Sequence, residues 1–271
     1  MSLVNIEPER LPNLKDKVIV VLGAATDIGV AVIRQLAELN IKATPLKSDI
    51  QAKVVWGDVA ELPDPDTRFV RTDATSYGSV LDLFKTALET HGRVDRAVYS
   101  AGMAGAEKSR RRGVLDVNQR GALFTRVVAH HLRESLAAAK GEGSVRGREG
   151  ETDDDDASIL LVGSSNGIAG FAGPVQYCAG KHGLLALFRG ARSTLSATGG
   201  SVGIRMNVVV PSVTRTQMIS KFLDTFASRG LMCNESEDVS SAITHALALR
   251  ADGEAYYVAV SKTYAIREGG C

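Results

Sequence analysis

The chain has few of the features that mark secreted or membrane proteins. Its three cysteines, Cys178, Cys233 and Cys271, are widely separated and odd in number, which favours reduced thiols over a disulfide framework. No run approaches the roughly 18 apolar residues of a membrane span. The segment before Val18 mixes charges and prolines and lacks the apolar core of a signal peptide. These absences predict a cytoplasmic protein.

Net charge is also nearly absent. Lys and Arg total 32 and Asp and Glu total 31, so no overall field would recruit nucleic acid or an anionic membrane. With 271 residues and 44% hydrophobic content, the chain can form one large α/β domain with a substantial core. We therefore predict a single domain over residues 1–271 whose partner is a small molecule.

Apolar runs alternate with helical patterns along the chain. Residues 18–22 predict a buried strand, Gly23 a tight turn, and residues 30–39 a helix. Further strands are predicted at 68–71, 94–99, 159–162, 204–210 and 256–260, and further helices at 80–90, 121–139, 177–196 and 238–249. The alternation predicts right-handed β-α-β crossovers and an α/β fold, a doubly wound, mostly parallel Rossmann-like sheet with helices on both faces.

Two stretches fit this plan less well. Residues 44–46 should lie in the second strand, although Pro45 is disfavoured inside a sheet. Residues 140–157 have almost nothing to bury and predict a solvated, flexible acidic loop. The four aspartates from Asp153 to Asp156 lack the glycine-turned loop of a calcium site, so we predict no metal site.

A tyrosine and a lysine four residues apart form the most informative pattern. Tyr177 and Lys181 share one face of a predicted helix, so the ammonium can lie beneath the phenol and favour the phenolate. A tyrosine with a pKa of about 10 is otherwise a poor acid or base at neutral pH. Ser164 stands thirteen residues earlier, at the end of a predicted strand. The three side chains together predict a proton-transfer site.

The segment from Leu22 to Gly29 lies where a dinucleotide phosphate would meet a helix N-terminus. Small residues let backbone N–H groups approach a pyrophosphate, and the helix dipole favours the anion. Strand-to-helix turns also need glycine for packing, so this segment is weak evidence by itself. Asp27 is an awkward neighbour for a phosphate because like charges repel.

Taken together, these motifs resemble the classical short-chain dehydrogenase/reductase family over most of the chain. Its glycine-rich turn is matched by Gly23, Asp27, Ile28 and Gly29, with Asp27 in place of the central glycine. Tyr99 and Ser100 replace the two asparagines of the family's Asn-Asn-Ala-Gly motif, and Ser212 replaces a glycine. The other cofactor contacts implied by the resemblance are Asp73, Ala74, Ala101, Gly102, Tyr177, Lys181, Pro211, Thr214 and Thr216.

The resemblance also implies a catalytic set of Asn118, Ser164, Tyr177 and Lys181. Ser164 has the family's spacing to the tyrosine, and Ser165 is the alternative. Ser164 would hydrogen-bond a substrate carbonyl and Tyr177 would exchange a proton with it. Lys181 would lower the pKa of Tyr177, bind the nicotinamide ribose and pass protons through water near Asn118.

Cofactor choice in this fold depends on the end of the second strand, where an acidic group accepts from the adenosine ribose of NAD. Counting on from Gly23, this place falls at Lys47, followed by Ser48. An ammonium would pair with a 2′-phosphate, which favours NADP(H) over NAD(H). Two alternatives remain: Lys47 faces solvent, or Asp49 supplies the carboxylate after a register slip.

In relatives, the segment corresponding to residues 217–236 forms a lid over the substrate. Its apolar side chains, among them Met218 and Phe222, predict a hydrophobic substrate, of which secondary metabolites are one class.

The implied reaction interconverts a carbonyl and a secondary alcohol by hydride transfer. The alternatives are non-redox chemistry on this fold (a cyclase, isomerase or dehydratase) and a nucleotide-responsive binding protein.

The helices from Gly121 and Tyr177 form the dimer interface in relatives, which predicts a homodimer or homotetramer.

Overall fold

A nine-stranded sheet with helices on both faces forms the protein. The structure is a computed structural model that describes residues 1–41, 53–59, 68–104, 111–140, 156–170, 172, 174–195 and 203–266. The strands are β1 (Ser2–Val4), β2 (Val18–Leu22), β3 (Lys53–Asp58), β4 (Arg68–Arg71), β5 (Arg96–Tyr99), β6 (Ala157–Val162), β7 (Ile204–Pro211), β8 (Ala255–Ala259) and β9 (Lys262–Ile266).

The α-helices are α1 (Asp27–Ile41), α2 (Tyr77–His91), α3 (Arg111–Gln119), α4 (Gly121–Lys140), α5 (Val175–Leu195), α6 (Leu223–Ser228) and α7 (Ser236–Ala248). Short 3-10 helices cover Pro8–Leu14, Ser165–Gly167 and Gln217–Phe222. In the described ranges, no helix combines the length and apolarity needed to cross a bilayer.

The strand order β1-β9-β8-β7-β6-β5-β2-β3-β4 confirms the doubly wound architecture. Strands β2 to β8 run parallel to their neighbours, whereas β9 and β1 add an antiparallel edge. From β2 the chain proceeds to β3 and β4 on one side and then crosses to β5 on the other. In open parallel sheets, such a switch point opens a ligand-binding crevice at the carboxyl ends of the strands.

Two hydrophobic cores, one on each face of the sheet, explain why β2 is a continuous apolar run. Val20 and Leu22 belong to the core shared with α2, α4 and α5. Ile19 and Val21 belong to the core shared with α1 and α7. Every residue of the strand is therefore buried, and full burial of a side chain of this size contributes about 1.5–3 kcal/mol.

The second strand of the crossover is later in the chain than expected. The strand paired with β2 is Lys53–Asp58, in register from Val18 opposite Lys53 to Leu22 opposite Gly57. Residues 44–46 lie outside the described residues, and the apolar run Val54-Val55-Trp56 takes the place beside β2 that was expected for them. Lys47 and Ser48 lie outside the described residues. The end of the second strand is therefore Asp58.

The expected strand at 256–260 ends one residue early. Val260 and Ser261 have φ angles of 52° and 58° and form the tight turn between β8 and β9. Positive φ at both central residues matches the twist of a two-residue hairpin, although it is strained for a β-branched valine. The hairpin adds β9, which pairs with β1 to complete the edge of the sheet.

One residue of the expected acidic loop belongs to the folded structure. Asp156 is placed immediately before β6, with 12% of its side chain exposed. Its carboxylate forms 2.6 Å ion pairs with the guanidinium groups of Arg96 and Arg205. The prediction that the whole segment 140–157 is solvated is therefore wrong at Asp156, because the buried Arg96 and the partly buried Arg205 need a counter-charge. Residues 141–155 lie outside the described residues.

Candidate active site

The residues singled out in the sequence converge at the carboxyl ends of four neighbouring strands. Gly23 follows β2, Ala101 and Gly102 follow β5, Ser164 follows β6, and Pro211 ends β7. These strands are adjacent in the order β7-β6-β5-β2. The convergence therefore lies at the switch point, where this architecture opens its crevice.

A serine, a tyrosine and a lysine form a compact group at this crevice. Tyr177 lies in the first turn of α5, and the hydroxyl of Ser164 lies near enough to the phenol to lower its pKa. Lys181, one turn later, places Nζ 5.8 Å from the centre of the phenol ring and donates a 2.8 Å hydrogen bond to the carbonyl of Val162. Ser165 instead begins the 3-10 helix, with its carbonyl accepting from Ile168. The geometry favours Ser164 over Ser165.

Burial dominates the titration of this group. The pKa of Lys181 falls from 10.5 to about 8 because its ammonium is buried. Burial raises the pKa of Tyr177 above 10.0, and the hydrogen bond with Ser164 opposes this rise. The pKa of Tyr177 is therefore raised, whereas the sequence predicted a lowered value, because desolvation of the phenol is the largest effect. Tyr177 is held in its protonated form at neutral pH.

Asn118 is fully buried in the last turn of α3 and packs against α5. Its amide nitrogen donates to the carbonyls of Met103 and Val114, each at 2.8 Å, and its amide oxygen accepts from the Met103 N–H at 3.3 Å. A Cβ on Gly180 would lie 2.6 Å from the Asn118 Cβ, so only glycine allows α3 to approach α5 here. The Asn118 side chain is therefore engaged with the loop after β5 and with α3 itself.

The glycine-rich turn packs against the loop that follows β5. Gly23 has φ of 88°, and a Cβ there would lie 2.2 Å from the Ala101 nitrogen. Gly29 packs equally closely on the Gly23 carbonyl, while Ile28 contacts the core beneath the turn. The turn therefore presents the N-terminus of α1 to the crevice, as the resemblance implies.

Asp27 has an unusual backbone conformation, and its side chain bridges two segments. Its φ of 44° lies in the left-handed region, which explains why glycine is favoured at this position in the family's pattern. Its Oδ1 accepts a 3.0 Å hydrogen bond from the N–H of Gln217, 190 residues away. The carboxylate thus joins the start of α1 to the start of the 3-10 helix Gln217–Phe222.

Asp58 is a site residue that the sequence reasoning missed. Its Oδ2 accepts a 3.0 Å hydrogen bond from the Ala25 N–H in the glycine-rich turn. Its Oδ1 accepts from the Val59 N–H at 2.7 Å. A carboxylate therefore stands where the sequence analysis expected Lys47 and Ser48. The apolar run ending in Gly57-Asp58 was the signal that could have found it.

The remaining positions on this side of the crevice lie close to their expected places. Asp73 follows β4, and its Oδ1 accepts from the N–H and hydroxyl of Thr75. Ala74 is buried in the core beneath α2. A Cβ on Gly102 would lie 3.4 Å from Asn118 Oδ1 and 3.6 Å from Lys181 Nζ, so this glycine separates the two side chains.

Asn234 is a second residue that the sequence reasoning missed, since no motif marks it. It is fully buried and donates to Ser212 Oγ at 3.1 Å and to the Val258 carbonyl at 3.0 Å. The segment of Thr214 also forms an isolated parallel bridge with that of Asn234. Thr216 immediately precedes the 3-10 helix Gln217–Phe222. Asn234 therefore fixes both ends of the predicted lid, residues 217–236, to the sheet.

The comparisons with known proteins agree with this geometry. The family described as short chain dehydrogenase matches residues 17–225. The short-chain dehydrogenase/reductase ascJ of Acremonium egyptiacum is 29% identical over 269 residues, covering 92% of this chain and 79% of the relative.

Two solved structures share the fold. A short-chain dehydrogenase from Burkholderia cenocepacia in complex with NADP has a TM-score of 0.68 at 18% identity, covering 91% of this chain and 90% of that one. The NADH-dependent reductase A1-R′ complexed with NAD has a TM-score of 0.67 at 20% identity, covering 92% and 97%.

The crevice suits a nicotinamide dinucleotide. The N-terminus of α1 offers N–H groups to a pyrophosphate, and Asp58 and Asp73 offer acceptors on the adenosine side. The only opposing feature among these described residues is the carboxylate of Asp27, which is turned to Gln217. The chain therefore belongs to the short-chain dehydrogenase/reductase family, oxidoreductases that act on CH–OH or C=O groups with NAD(P).

Proposed function

We propose that the protein is an NAD(H)-dependent oxidoreductase that interconverts a carbonyl and a secondary alcohol on a hydrophobic substrate. The observation that carries this proposal is the grouping of Ser164, Tyr177 and buried Lys181 at the carboxyl ends of the strands, with Lys181 Nζ 5.8 Å from the centre of the phenol ring. A protonated phenol and a second hydroxyl, both at the crevice, can hydrogen-bond one substrate oxygen.

In the reductive direction, Ser164 donates a hydrogen bond to the substrate carbonyl, and Tyr177 transfers its proton to that oxygen. The nicotinamide, when bound, supplies the hydride or accepts it in the reverse reaction. Lys181 returns a proton to Tyr177 through water held near Asn118. The raised pKa of Tyr177 keeps the phenol protonated at neutral pH, which suits its role as an acid.

Asp58 favours NAD(H) over the NADP(H) expected from the sequence. A carboxylate at the end of the second strand accepts from the ribose 2′-hydroxyl of NAD and repels the 2′-phosphate of NADP. The preference for NADP(H) depended on a lysine at this place, whereas Asp58 occupies it beside the glycine-rich turn. We therefore propose that the Asp58 side chain selects NAD(H) from the two nicotinamide cofactors.

Calorimetry with NADH and NADPH tests this preference. We expect wild-type protein to bind NADH about 100-fold more tightly, as expected for one charge-assisted hydrogen bond and one repulsion. Asp58→Ala should bring the two affinities close to each other. Asp73→Ala is the matched control, because Asp73 lies after β4 and should change both affinities together. Tighter binding of NADPH by wild-type protein would return the preference to NADP(H).

The lid supports a hydrophobic substrate. Met218, Phe222 and Met232 are 41%, 56% and 65% exposed, although such side chains usually lie in cores. Residues 217–236 would bury these side chains when they close over an apolar substrate.

A homodimer through α4 and α5 belongs to the same proposal. On α5, the exposed positions Ala179, Ala186 and Gly190 carry no bulky side chain. A second α5 could therefore approach closely along this face. Sedimentation analysis of wild-type protein and of Ala186→Arg would test it, since a bulky charge on that face should yield monomers.

Activity is tested with NADH and a panel of cyclic and aromatic ketones. We expect turnover that Tyr177→Phe abolishes, and deuterium transfer from labelled cofactor to the product carbon. Turnover that depends on Tyr177 without label transfer would support the alternative of non-redox chemistry. Cofactor binding with no turnover of any kind would support a nucleotide-responsive binding protein.

A further inference from the structure

Tyr99 stands where the family's motif has an asparagine, and it is completely buried. It is the last residue of β5, paired with Leu22 on one side and Leu161 on the other. Its ring contacts Phe124 of α4, with the ring centres 5.1 Å apart. A purely apolar contact would be served as well by phenylalanine, so the hydroxyl needs a separate explanation.

The hydroxyl of Tyr99 donates a hydrogen bond to the carbonyl of Val117. Val117 lies in the last turn of α3, where carbonyls lack partners within the helix. The carbonyl of Asp116, one residue earlier, accepts from the Arg120 N–H at 3.1 Å, and α4 begins at Gly121. Tyr99 therefore pins the break between α3 and α4 to the end of β5.

Val117 is joined by a single peptide unit to Asn118. The orientation of the Val117 carbonyl constrains the adjoining Asn118 backbone, and the Asn118 side chain packs on Gly180 and donates to the Met103 carbonyl. Asn118 Oδ1 and Lys181 Nζ both lie beside Gly102. A small rotation at residue 117 would thus move Asn118, whose Oδ1 lies beside the same glycine as the lysine ammonium.

We propose that Tyr99 is a positioning residue that holds Asn118 beside Lys181 for proton relay, through its hydrogen bond to Val117. The inference rests on the proposed function, because a relay has meaning only for an enzyme that moves protons through Tyr177. It assigns a role to a residue that departs from the family's pattern.

Tyr99→Phe tests the inference because it keeps the ring and removes only the hydroxyl. We expect kcat to fall about tenfold, the free-energy equivalent of one buried hydrogen bond, with KM for substrate and cofactor unchanged. The solvent deuterium isotope effect on kcat should rise, since relay becomes slower than hydride transfer. Independently of activity, hydrogen exchange should be faster at the amides of Arg120 and Phe124.

Tyr256→Phe is the matched control. Tyr256 is another buried tyrosine, 3% exposed, in the core on the opposite face of the sheet. A general loss of stability would affect both variants, whereas the isotope effect should change only in Tyr99→Phe. The double variant Tyr99→Phe with Asn118→Ala should lose less than the product of the single losses, because both act on one relay.

The possible results distinguish failure of the positioning role of Tyr99 from failure of the proposed activity. If wild-type protein shows no turnover, the proposed activity fails and the relay role fails with it. If wild-type protein is active and Tyr99→Phe matches it in kcat and isotope effect, only the positioning role is overturned. A lower kcat with an unchanged isotope effect would assign Tyr99 to structure alone and also overturn the role.

Discussion

Lys181 is a costly residue for the fold, and its cost depends on pH. Its pKa in the folded chain is about 8, below the value of 10.5 for an exposed lysine. The unfolded chain therefore binds more protons between these values, so stability rises with pH across this window. Below about pH 8 the full penalty is present, and it corresponds to roughly 3 kcal/mol.

Lys181→Met should reveal this penalty. The variant cannot titrate, so its advantage over wild type in free energy of unfolding should be largest below pH 8. That advantage should shrink by roughly 3 kcal/mol as the pH rises to 10.5. Urea unfolding at several pH values measures the difference, and activity should be lost throughout. Parallel stability profiles for the two proteins would contradict the buried ammonium.

A second prediction concerns Tyr177 and Ser164 and the pH dependence of the proposed reaction. Because burial raises the pKa of Tyr177, carbonyl reduction should persist at neutral pH and decline only as the phenol ionises, while alcohol oxidation should rise over the same range. The hydrogen bond from Ser164 lowers that pKa. Ser164→Ala should therefore shift the oxidation profile to higher pH and reduce kcat.

Ser165→Ala is the control for this experiment. Ser165 is the neighbouring residue and begins a 3-10 helix, so its removal should leave the pH profile in place. Initial rates of alcohol oxidation between pH 7 and 11 would provide the comparison. An equal shift in both variants would place the effect in the loop rather than in the hydroxyl of Ser164.

Among the elements, those with long apolar patterns could be predicted from sequence and the others could not. The strand β2 and the helices α2, α4, α5 and α7 were expected within a few residues of their bounds, because each buries a continuous run or stripe. The strand β3 was misplaced because the interval from Gly23 was assumed to be of ordinary length. Local sequence carries no measure of such an insertion.

Asp27 links two elements, so its substitution tests a contact between them. Its carboxylate accepts from the first N–H of the 3-10 helix Gln217–Phe222, for which Thr216 provides no side-chain cap. Asp27→Asn keeps an acceptor for Gln217 and removes the charge beside the phosphate turn. It should tighten NADH binding about fivefold at low salt, as expected for one exposed like-charge contact.

Asp27→Gly should tighten NADH binding at least as much and should also release the lid. The N–H of Gln217 would lose its acceptor, so its hydrogen exchange should accelerate in this variant and stay unchanged in Asp27→Asn. Calorimetry at low and high salt would show whether the gain is electrostatic. Weaker NADH binding by Asp27→Asn would mean that the carboxylate helps to hold the cofactor.

In the whole molecule, residues in local motifs were easier to find than residues that meet across the fold. Ser164, Tyr177 and Lys181 were expected together because their spacing fits one strand end and one helix face. Asp58 and Asn234 were not, since each contacts segments far away in sequence. A pattern in one chain encodes periodicity, whereas such pairings depend on how the strands are ordered.

Residues far apart in sequence also meet at the amino ends of the strands, opposite the crevice. Asp156 precedes β6 and pairs with Arg96 of β5 and Arg205 of β7, so a single carboxylate joins three strands. Arg96 is only 2% exposed, and burial lowers its pKa to about 10 even though Asp156 opposes the shift. Removal of Asp156 would leave a buried guanidinium without its principal counter-charge.

Asp156→Ala should therefore cost about 3–5 kcal/mol of unfolding free energy, the penalty for breaking a buried ion pair. For a chain of this size, each kcal/mol lowers Tm by about 2–4 °C, so the loss should be plain in a thermal melt. Asp82→Ala, an exposed change on α2, should stay within about 0.5 kcal/mol of wild type. Because the network lies at the opposite ends of the strands from Tyr177, kcat of the folded variant should be unchanged at 25 °C. A stable variant with altered kcat would mean that Asp156 acts on the crevice and not on the fold.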